Sequence, residues 1–232
     1  MNYKIYICHY PPLIERKQYL DSILPTLDIP YEYSTDYTTY TPEHEKYFSN
    51  DIKILNYKNE ISASKNNTFT LTKAGKALCL EHYNIYKKII QEKIDFGIIL
   101  EDDAIFVENI KEKLHNTIKN IPNDSDIIHM SNGCGDRENC LQLGRSNLPV
   151  VNNFVKMSIP FSWTGGAYII NNKTAELFYK NVLPFVFPMD FELTFLQSLL
   201  KSCVYWLETP IIFEGSNSIS GEFYKYQSTA GR

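Results

Sequence analysis

An open α/β fold, with a mainly parallel mixed sheet and helices on both faces, is what the sequence predicts. Three observations support it. Segments rich in β-formers alternate with amphipathic helical ones over residues 3–131. The central segment FGIILEDD is a continuous apolar run before its acidic end, the pattern of a strand buried on both faces. No internal repeat or linker divides the 232 residues, a length that one domain, 1–232, can fill around a substantial core.

Taken in order, YKIYICHY (3–10) alternates until Pro11 and Pro12 stop it, which predicts a first strand and a loop. Leu13, Tyr19, Leu20, Ile23 and Leu24 recur at roughly helical spacing, so an amphipathic helix is expected to end before Pro25. IPYEYSTDY (29–37) reads as a second short strand. The polar, Tyr-rich stretch 38–68 is too long for a turn and reads as a functional loop with short helical pieces. Residues 71–93 form the clearest helix, capped by Thr72, with Leu78, Tyr83, Tyr86 and Ile90 in its buried stripe. A strand at 96–103, a helix at 109–121 and a strand at 125–131 follow. After a loop rich in Gly and Asn, residues 162–182 predict a strand, a turn at Asn171 and Asn172, and a helix. The tail adds a helix (191–201), a strand (203–207) and a Gly/Ser-rich end.

Composition narrows the partners. Apolar content of 44% and charge of 22% suit a globular protein. A net charge of -4 argues against nucleic acid as the main partner, because phosphate backbones select basic surfaces. The five cysteines are odd in number, scattered and without a CxxC pair. Cys8, Cys79 and Cys203 lie in apolar stretches and read as buried small hydrophobes, while Cys134 and Cys140 flank a polar GDREN and either pair or stay free. Free thiols fit a reducing compartment. With no signal-peptide pattern and no run of about 18 apolar residues, a cytoplasmic chain is expected, with at most peripheral membrane contact.

The segment that carries chemistry is FGIILEDDAIF, where Glu101, Asp102 and Asp103 end an apolar strand. Ligands of open α/β sheets bind beyond the carboxyl ends of the strands, so this triplet is expected to face the binding crevice. Strand alternation puts Glu101 and Asp103 on one side and Asp102 on the other. A hard divalent cation, Mg²⁺ or Mn²⁺, would relieve their repulsion, taking one or two carboxylates and completing its shell with water and phosphate. That chemistry is metal-assisted binding of a diphosphate. An acidic run that simply faces solvent or caps the next helix is the bland reading of the same residues; the apolar runs on both sides favour a site.

ILEDDAIF also resembles the acidic motif of glycosyltransferase family 25, the group that includes lipooligosaccharide and collagen galactosyltransferases. Other blocks resemble it in the same order: KIYICHYPPLIERKQYL with Arg16, LTKAGKALCLEHYNIYKKI with His82, TGGAYIINNKTAELF, FVFPMDFEL with Asp190, and TPIIFEGSNSIS. Three features depart from the pattern. Glu81 stands where Ser is usual, His9-Tyr10 replaces the usual Asn-Leu, and the 38–68 loop matches nothing in the family's blocks. The resemblance implies a GT-A type fold, with 1–131 as the nucleotide-sugar and metal-binding half and 132–232 as the acceptor-side half. It further implies a UDP-sugar donor, a divalent metal and inversion at the anomeric carbon. A hexose, galactose or glucose, would pass to a glycan, glycolipid, lipooligosaccharide or collagen-like hydroxylysine acceptor.

Roles follow from that resemblance. Asp103 is the expected direct metal ligand; Glu101 ligates through water or holds the ribose or sugar, and Asp102 lies on the donor's other side. Inverting transfer needs a carboxylate base, and Asp190 is the first candidate, with Glu192 and Glu214 in reserve. A carboxylate beginning a helix also suits a plain N-cap. His82 is expected near the donor, or packed in its helix. Arg16 can pair with phosphate bidentately, or stay solvated. His129 can complete the metal's shell or simply end its strand. Gly165 and Gly166, with Thr164, let backbone approach the donor sugar; Phe161 and Trp163 can stack on it or join the core.

Two rival functions stand beside this one. A phosphoryl-transfer enzyme with a phospho-aspartate would want a carboxylate on the first strand, and YKIYICHY has none. A non-catalytic relative that binds a sugar nucleotide or glycan would keep the acidic end without needing a base.

Overall fold

The computed structural model describes residues 1–62, 69–132, 137–160 and 165–227, excluding the side chains of 137–140 and 218–220. In chain order the first half runs β1 (Tyr3–Cys8), α1 (Ile14–Ile23), β2 (Tyr31–Ser34), α2 (Ile52–Ile61), α3 (Lys73–Gln91), β3 (Phe96–Glu101), β4 (Ala104–Phe106), α4 (Ile110–Lys119) and β5 (Ile127–His129). The second runs α5 (Arg137–Gly144), β6 (Phe154–Lys156), β7 (Ala167–Asn171), α6 (Asn172–Asn181), α7 (Met189–Leu199), β8 (Val204–Leu207) and β9 (Ile212–Glu214). Short 3₁₀ turns at Leu24–Leu27, Pro42–Tyr47 and Ser218–Phe223 join them.

Alternation along β1 sets the layering. Ile5 and Ile7 face one side of the sheet and Tyr6 and Cys8 the other, all buried, so both faces need cover. Leu20 of α1, Leu24 and Leu27 of the following turn and Leu114 of α4 pack with Ile5 and Ile7. Cys79 and Ile89 of α3, Phe178 of α6 and Leu193 of α7 pack with Tyr6 and Cys8. The result is the expected α/β architecture with helices on both faces.

The main sheet has strand order β2-β1-β3-β7-β5-β8-β6. β1 pairs in parallel with β2 and β3, and β5 with β8. β7 enters antiparallel between β3 and β5, and β6 lies antiparallel on β8. The sheet is therefore mixed and mainly parallel, as expected. The reversal at β7 brings its beginning to the edge where β3 ends, with Ala167 opposite Leu100. A small second sheet pairs β4 with β9.

Several local expectations shift. The first helix does end before Pro25, which sits inside a 3₁₀ turn. Thr72 caps α3, its hydroxyl accepting from the Gly75 amide at 3.1 Å. The buried stripe of α3, however, runs through Cys79, His82, Ile85, Tyr86 and Ile89, and Leu78, Tyr83 and Ile90 are only partly covered. Counting apolar positions misplaces the stripe because a polar residue, His82, sits at its centre. Asn171 forms no separate turn: it ends β7 and caps α6, accepting from the Thr174 amide at 2.7 Å. The acidic strand leaves the sheet after Glu101, and the pair Asp102-Asp103 makes a tight turn into β4. Cys8 and Cys79 are buried as expected, whereas Cys203 is half-buried and its thiol lies 3.4 Å from Asp124. Cys134 and Cys140 lie outside the described residues and side chains.

Within the described part of the 38–68 stretch the expected helical pieces are the 3₁₀ turn Pro42–Tyr47 and the ten-residue α2, which docks on α7. Lys58 of α2 donates to Glu192 at 2.6 Å and to the carbonyls of Val182 and Pro184 at 3.0 and 2.8 Å. Glu192 in turn accepts from the Val186 and Phe187 amides at 2.8 and 3.0 Å. Burial pushes the Lys58 amine down and the Glu192 carboxyl up, so each charge persists against the cost of burial only through the other. Removing one partner leaves the other charge buried and alone. Lys58→Met is expected to lower unfolding stability by about 3–5 kcal/mol in urea titrations. The double variant Lys58→Met, Glu192→Gln is expected to recover part of that loss, since no lone charge then remains.

Candidate active site

Two parallel strands end side by side at one edge of the sheet, with Cys8 of β1 opposite Glu101 of β3. The residues that follow them, His9 and Tyr10 on one side and Asp102 and Asp103 on the other, are therefore brought together by register alone. Asp102 turns toward β1. Its Oδ2 accepts from the Tyr10 amide at 3.0 Å and faces His9 Nδ1 at 3.0 Å, and its Oδ1 accepts from Arg16 Nη1 at 2.7 Å. Arg16 also donates to the Gln227 carbonyl at 2.9 Å and lies over the Tyr226 ring. Arg16, expected at a phosphate, is in this structure the buried partner of Asp102. His9 Nε2 is buried with no partner among the described residues.

Asp103 points elsewhere. Its Oδ2 accepts from the Ser216 hydroxyl at 2.5 Å and the Ser216 amide at 3.2 Å, while its Oδ1 is buried with no partner among the described residues. The expected separation of Asp102 from Asp103 is present, but the turn creates it, since the strand has already ended. Asp103 and Asp190 both act on the charges of Glu101 and Glu214. Burial, then Asp103, Glu214, Asp190 and Asp102, hold the Glu101 carboxyl well above the usual range. Burial and the charges of Asp103 and Asp190 push Glu214 up to about 8, and burial lifts Asp190 to about 6. Asp190 lies in the first turn of α7, its Oδ1 accepting from the Phe191 amide at 3.2 Å.

The chain that closes over Asp103 passes very near it. The Gly215 amide donates to the Asp103 carbonyl at 2.8 Å, and a Cβ on Gly215 would stand 2.8 Å from that oxygen and 2.7 Å from Ile105 Cγ1. Only glycine fits. Gly215→Ala is expected to push Ser216 off Asp103 and to lower stability by about 1–3 kcal/mol, measurable as a fall in Tm with loss of the site's activity.

The opposite wall comes from β7 and α3. The Glu101 amide donates to the Gly166 carbonyl at 2.9 Å, and a Cβ on Gly165 would lie 3.1 Å from Glu101 Oε1 and 3.7 Å from His82 Nε2. The structure thus brings Glu101 and His82 up against Gly165. His82 is fully buried, with Nδ1 2.8 Å from the Tyr168 hydroxyl and Nε2 without a partner among the described residues. Glu81, one residue earlier, accepts from the Ser34 hydroxyl at 2.6 Å and the Tyr37 amide at 2.5 Å, tying the entrance of the 38–68 loop to α3.

Other expected residues lie apart. Glu192 is fully engaged by Lys58 and two amides, which removes it as a reserve base. His129 is buried between Tyr168 and Trp206, its Nε2 accepting from Gln197 at 2.9 Å. Phe161, Trp163 and Thr164 lie outside the described residues. His9, Tyr10, Ser216 and Tyr168 were not among the residues singled out by the sequence for site roles. The unusual His9-Tyr10 pair after β1 was the one local signal for any of them.

Among the described residues no group of three or more His, Cys, Asp and Glu side chains is arranged to hold a metal ion. A cation that needs only one or two protein carboxylates is a different case. The unpartnered Oδ1 of Asp103, beside Glu101 in a field of like charge, fits such an ion.

The sequence model of glycosyltransferase family 25 (LPS biosynthesis protein) matches residues 3–193. The chain belongs to glycosyltransferase family 25. Procollagen galactosyltransferase 1 of Danio rerio is 26% identical to it over 124 residues, 52% of this chain and 20% of that protein. The match therefore spans a fifth of that relative's length. Solved structures with some likeness include a glycosyltransferase involved in the glycosylation of the major capsid of PBCV-1, with 7% identity, TM-score 0.49 and coverage of 96% of this chain and 98% of that one. A197 from STIV has 11% identity, TM-score 0.45 and coverage of 91% and 83%. Mouse xyloside xylosyltransferase 1 has 10%, 0.37, and 99% and 95%. All three are loose likenesses. The family 25 match extends through β1, the acidic turn and Asp190, and stops short of Glu214 and Ser216. No helix among the described residues of this family 25 chain is long and apolar enough to cross a membrane.

Proposed function

We propose that this chain is a metal-dependent, inverting glycosyltransferase that moves a hexose, galactose or glucose, from a UDP-sugar to a hydroxyl of a glycan, lipooligosaccharide or collagen-like acceptor. The observation that carries the reading is a buried Asp103 oxygen with no partner among the described residues, near enough to Glu101 for its charge to act there together with those of Glu214 and Asp190. The family's description and the galactosyltransferase relative support the sugar class.

Asp103, with Glu101, would hold Mn²⁺ or Mg²⁺, which when bound offsets the carboxylates' repulsion and the charge of the leaving diphosphate. Asp102 organises the nucleotide side through Arg16 and His9. Gly165 and Gly166 keep the wall beside the sugar free of side chains, and His82 lies against Gly165. Asp190 takes the proton of the acceptor hydroxyl as its oxygen bonds to the anomeric carbon and the bond from that carbon to the diphosphate breaks. Glu214 remains the alternative base.

Incubation with Mn²⁺ and a panel of UDP-sugars, followed by assay of released UDP, tests the proposal. Release that requires the metal and one sugar nucleotide is expected. Metal-dependent binding without turnover on any acceptor would make the chain a binding relative, and absence of both would overturn the reading.

A further inference from the structure

Three buried groups form a chain behind the site. His82 Nδ1 lies 2.8 Å from the Tyr168 hydroxyl, which lies 2.8 Å from the Tyr86 hydroxyl. All three side chains are fully buried, and the rings of His82 and Tyr168 stack at 5.8 Å and 10°. Burial lowers His82 to about 3, so at neutral pH the imidazole is uncharged and carries one ring proton. Which nitrogen carries it can be worked out from the hydroxyls.

Among the described residues the Tyr86 hydroxyl has one partner, Tyr168. If Tyr86 donates to Tyr168 and Tyr168 donates to Nδ1, both hydroxyl protons are bonded. The ring proton then sits on Nε2. In the reverse direction Nδ1 donates to Tyr168 and Tyr168 to Tyr86, which leaves the Tyr86 proton buried without an acceptor. Nε2 would then be a second unsatisfied group. Buried donors without acceptors are costly, so the first direction wins. Among the described residues it leaves a single orphan, the Nε2–H, and that group lies on the Gly165 side of the ring. A Cβ there would stand 3.7 Å from His82 Nε2 and 3.1 Å from Glu101 Oε1.

We propose that Tyr168, backed by Tyr86, is a positioning residue that fixes His82 as its Nε2–H tautomer, so that His82 donates one hydrogen bond to an oxygen of a ligand bound on the Glu101 and Gly165 side of the ring. The assignment of that ligand as a UDP-sugar rests on the function proposed above. The accepting oxygen belongs either to the sugar or to the diphosphate.

Two measurements on the full chain test it. The first is the nitrogen–proton correlation spectrum of the imidazole ring in ¹⁵N-labelled protein, with the His82 signals identified by their loss in His82→Gln. The Nε2–H pattern is expected, with the Nδ1 resonance shifted by an accepted hydrogen bond. In Tyr168→Phe, which keeps the ring volume, Nδ1 moves toward the position of an unbonded nitrogen. A proton on Nδ1 in the parent protein, or an unchanged Nδ1 in Tyr168→Phe, overturns the relay.

The second measurement is binding and steady-state kinetics with UDP-galactose and with UDP. Tyr168→Phe is expected to raise KM for the sugar nucleotide about tenfold with kcat within about twofold, the size of one well-placed hydrogen bond. His82→Phe loses the same affinity, and His82→Gln, whose amide can donate from a similar place, recovers most of it. Weakening for UDP-galactose alone places the acceptor on the sugar; weakening for both places it on the diphosphate. Unaltered binding in both His82→Phe and Tyr168→Phe overturns the proposed contact. If the parent protein binds neither nucleotide, the transferase reading fails, and the tautomer stands or falls on the ring spectrum alone.

Discussion

Asp190→Asn is expected to lower kcat by about 10²–10⁴-fold while leaving UDP-sugar affinity unchanged, the signature of a lost general base. Asparagine keeps the shape and the hydrogen bond to the Phe191 amide but cannot take the acceptor's proton. The pH dependence gives a second, independent readout. Burial lifts Asp190 to about 6, so its basic form grows as pH rises through that value. The parent's kcat should therefore climb between about pH 5 and 7 and level off above. In Asp190→Asn that limb disappears. Titration calorimetry for binding and a pH–rate profile for turnover check both parts. Turnover near the parent's level in Asp190→Asn would move the base to Glu214.

Asp103→Asn is expected to weaken metal-dependent UDP-sugar binding by about two orders of magnitude, with weak binding in EDTA unaltered. The same substitution should raise the Tm of the metal-free protein. Burial pushes the Asp103 carboxyl up, so ionising it costs more in the folded chain than in the unfolded one. A carboxyl raised on folding opposes folding at pH values above its unfolded range, and asparagine removes that opposition. Binding lost while stability rises would mark a residue kept for its ligand rather than for the fold. Titration calorimetry with Mn²⁺ and thermal unfolding in EDTA measure the two halves. Unchanged metal dependence would remove Asp103 as the ligand.

Much of the fold was legible because its signals are local. β1, α3, β3 and α4 each declare themselves within about a dozen residues, through alternation, helical spacing or a cap such as Thr72. What escaped was set by distant partners. β4, β6 and β9 are three residues each, too short to carry a period, and β4 forms only because Ala104 meets Glu214. The reversal of β7 is likewise invisible in AYIIN, since either strand direction buries the same residues. On α3 the apolar count misled because the buried face carries His82 and Glu81.

The candidate site divides the same way. EDD at the end of an apolar run is a local signal, and it located the sheet edge correctly. The partners that shape it are separated from it by long stretches of chain: His9 reaches Asp102 across 93 residues, and Ser216 reaches Asp103 across 113. Charge neighbours behave alike, for nothing in FEL or FEG marks Glu192 as enclosed by Lys58 and Glu214 as a charge acting on Glu101. Tyr168 sits in AYIIN as one strand aromatic among the chain's many tyrosines, and only its hydroxyl's two partners distinguish it.

The closing contacts at Gly215 and Ser216 have a consequence for when the site comes into being. The seven-stranded sheet is complete once β8 has joined β5, but the acidic turn still lacks the segment that holds Asp103. Arg16, near the start of the chain, grips the carbonyl of Gln227 across 211 residues. Contacts of such sequence separation are the slow ones to form. During synthesis, therefore, the chain acquires its scaffold first and its chemistry last, so a partly made molecule lacks a finished acidic turn.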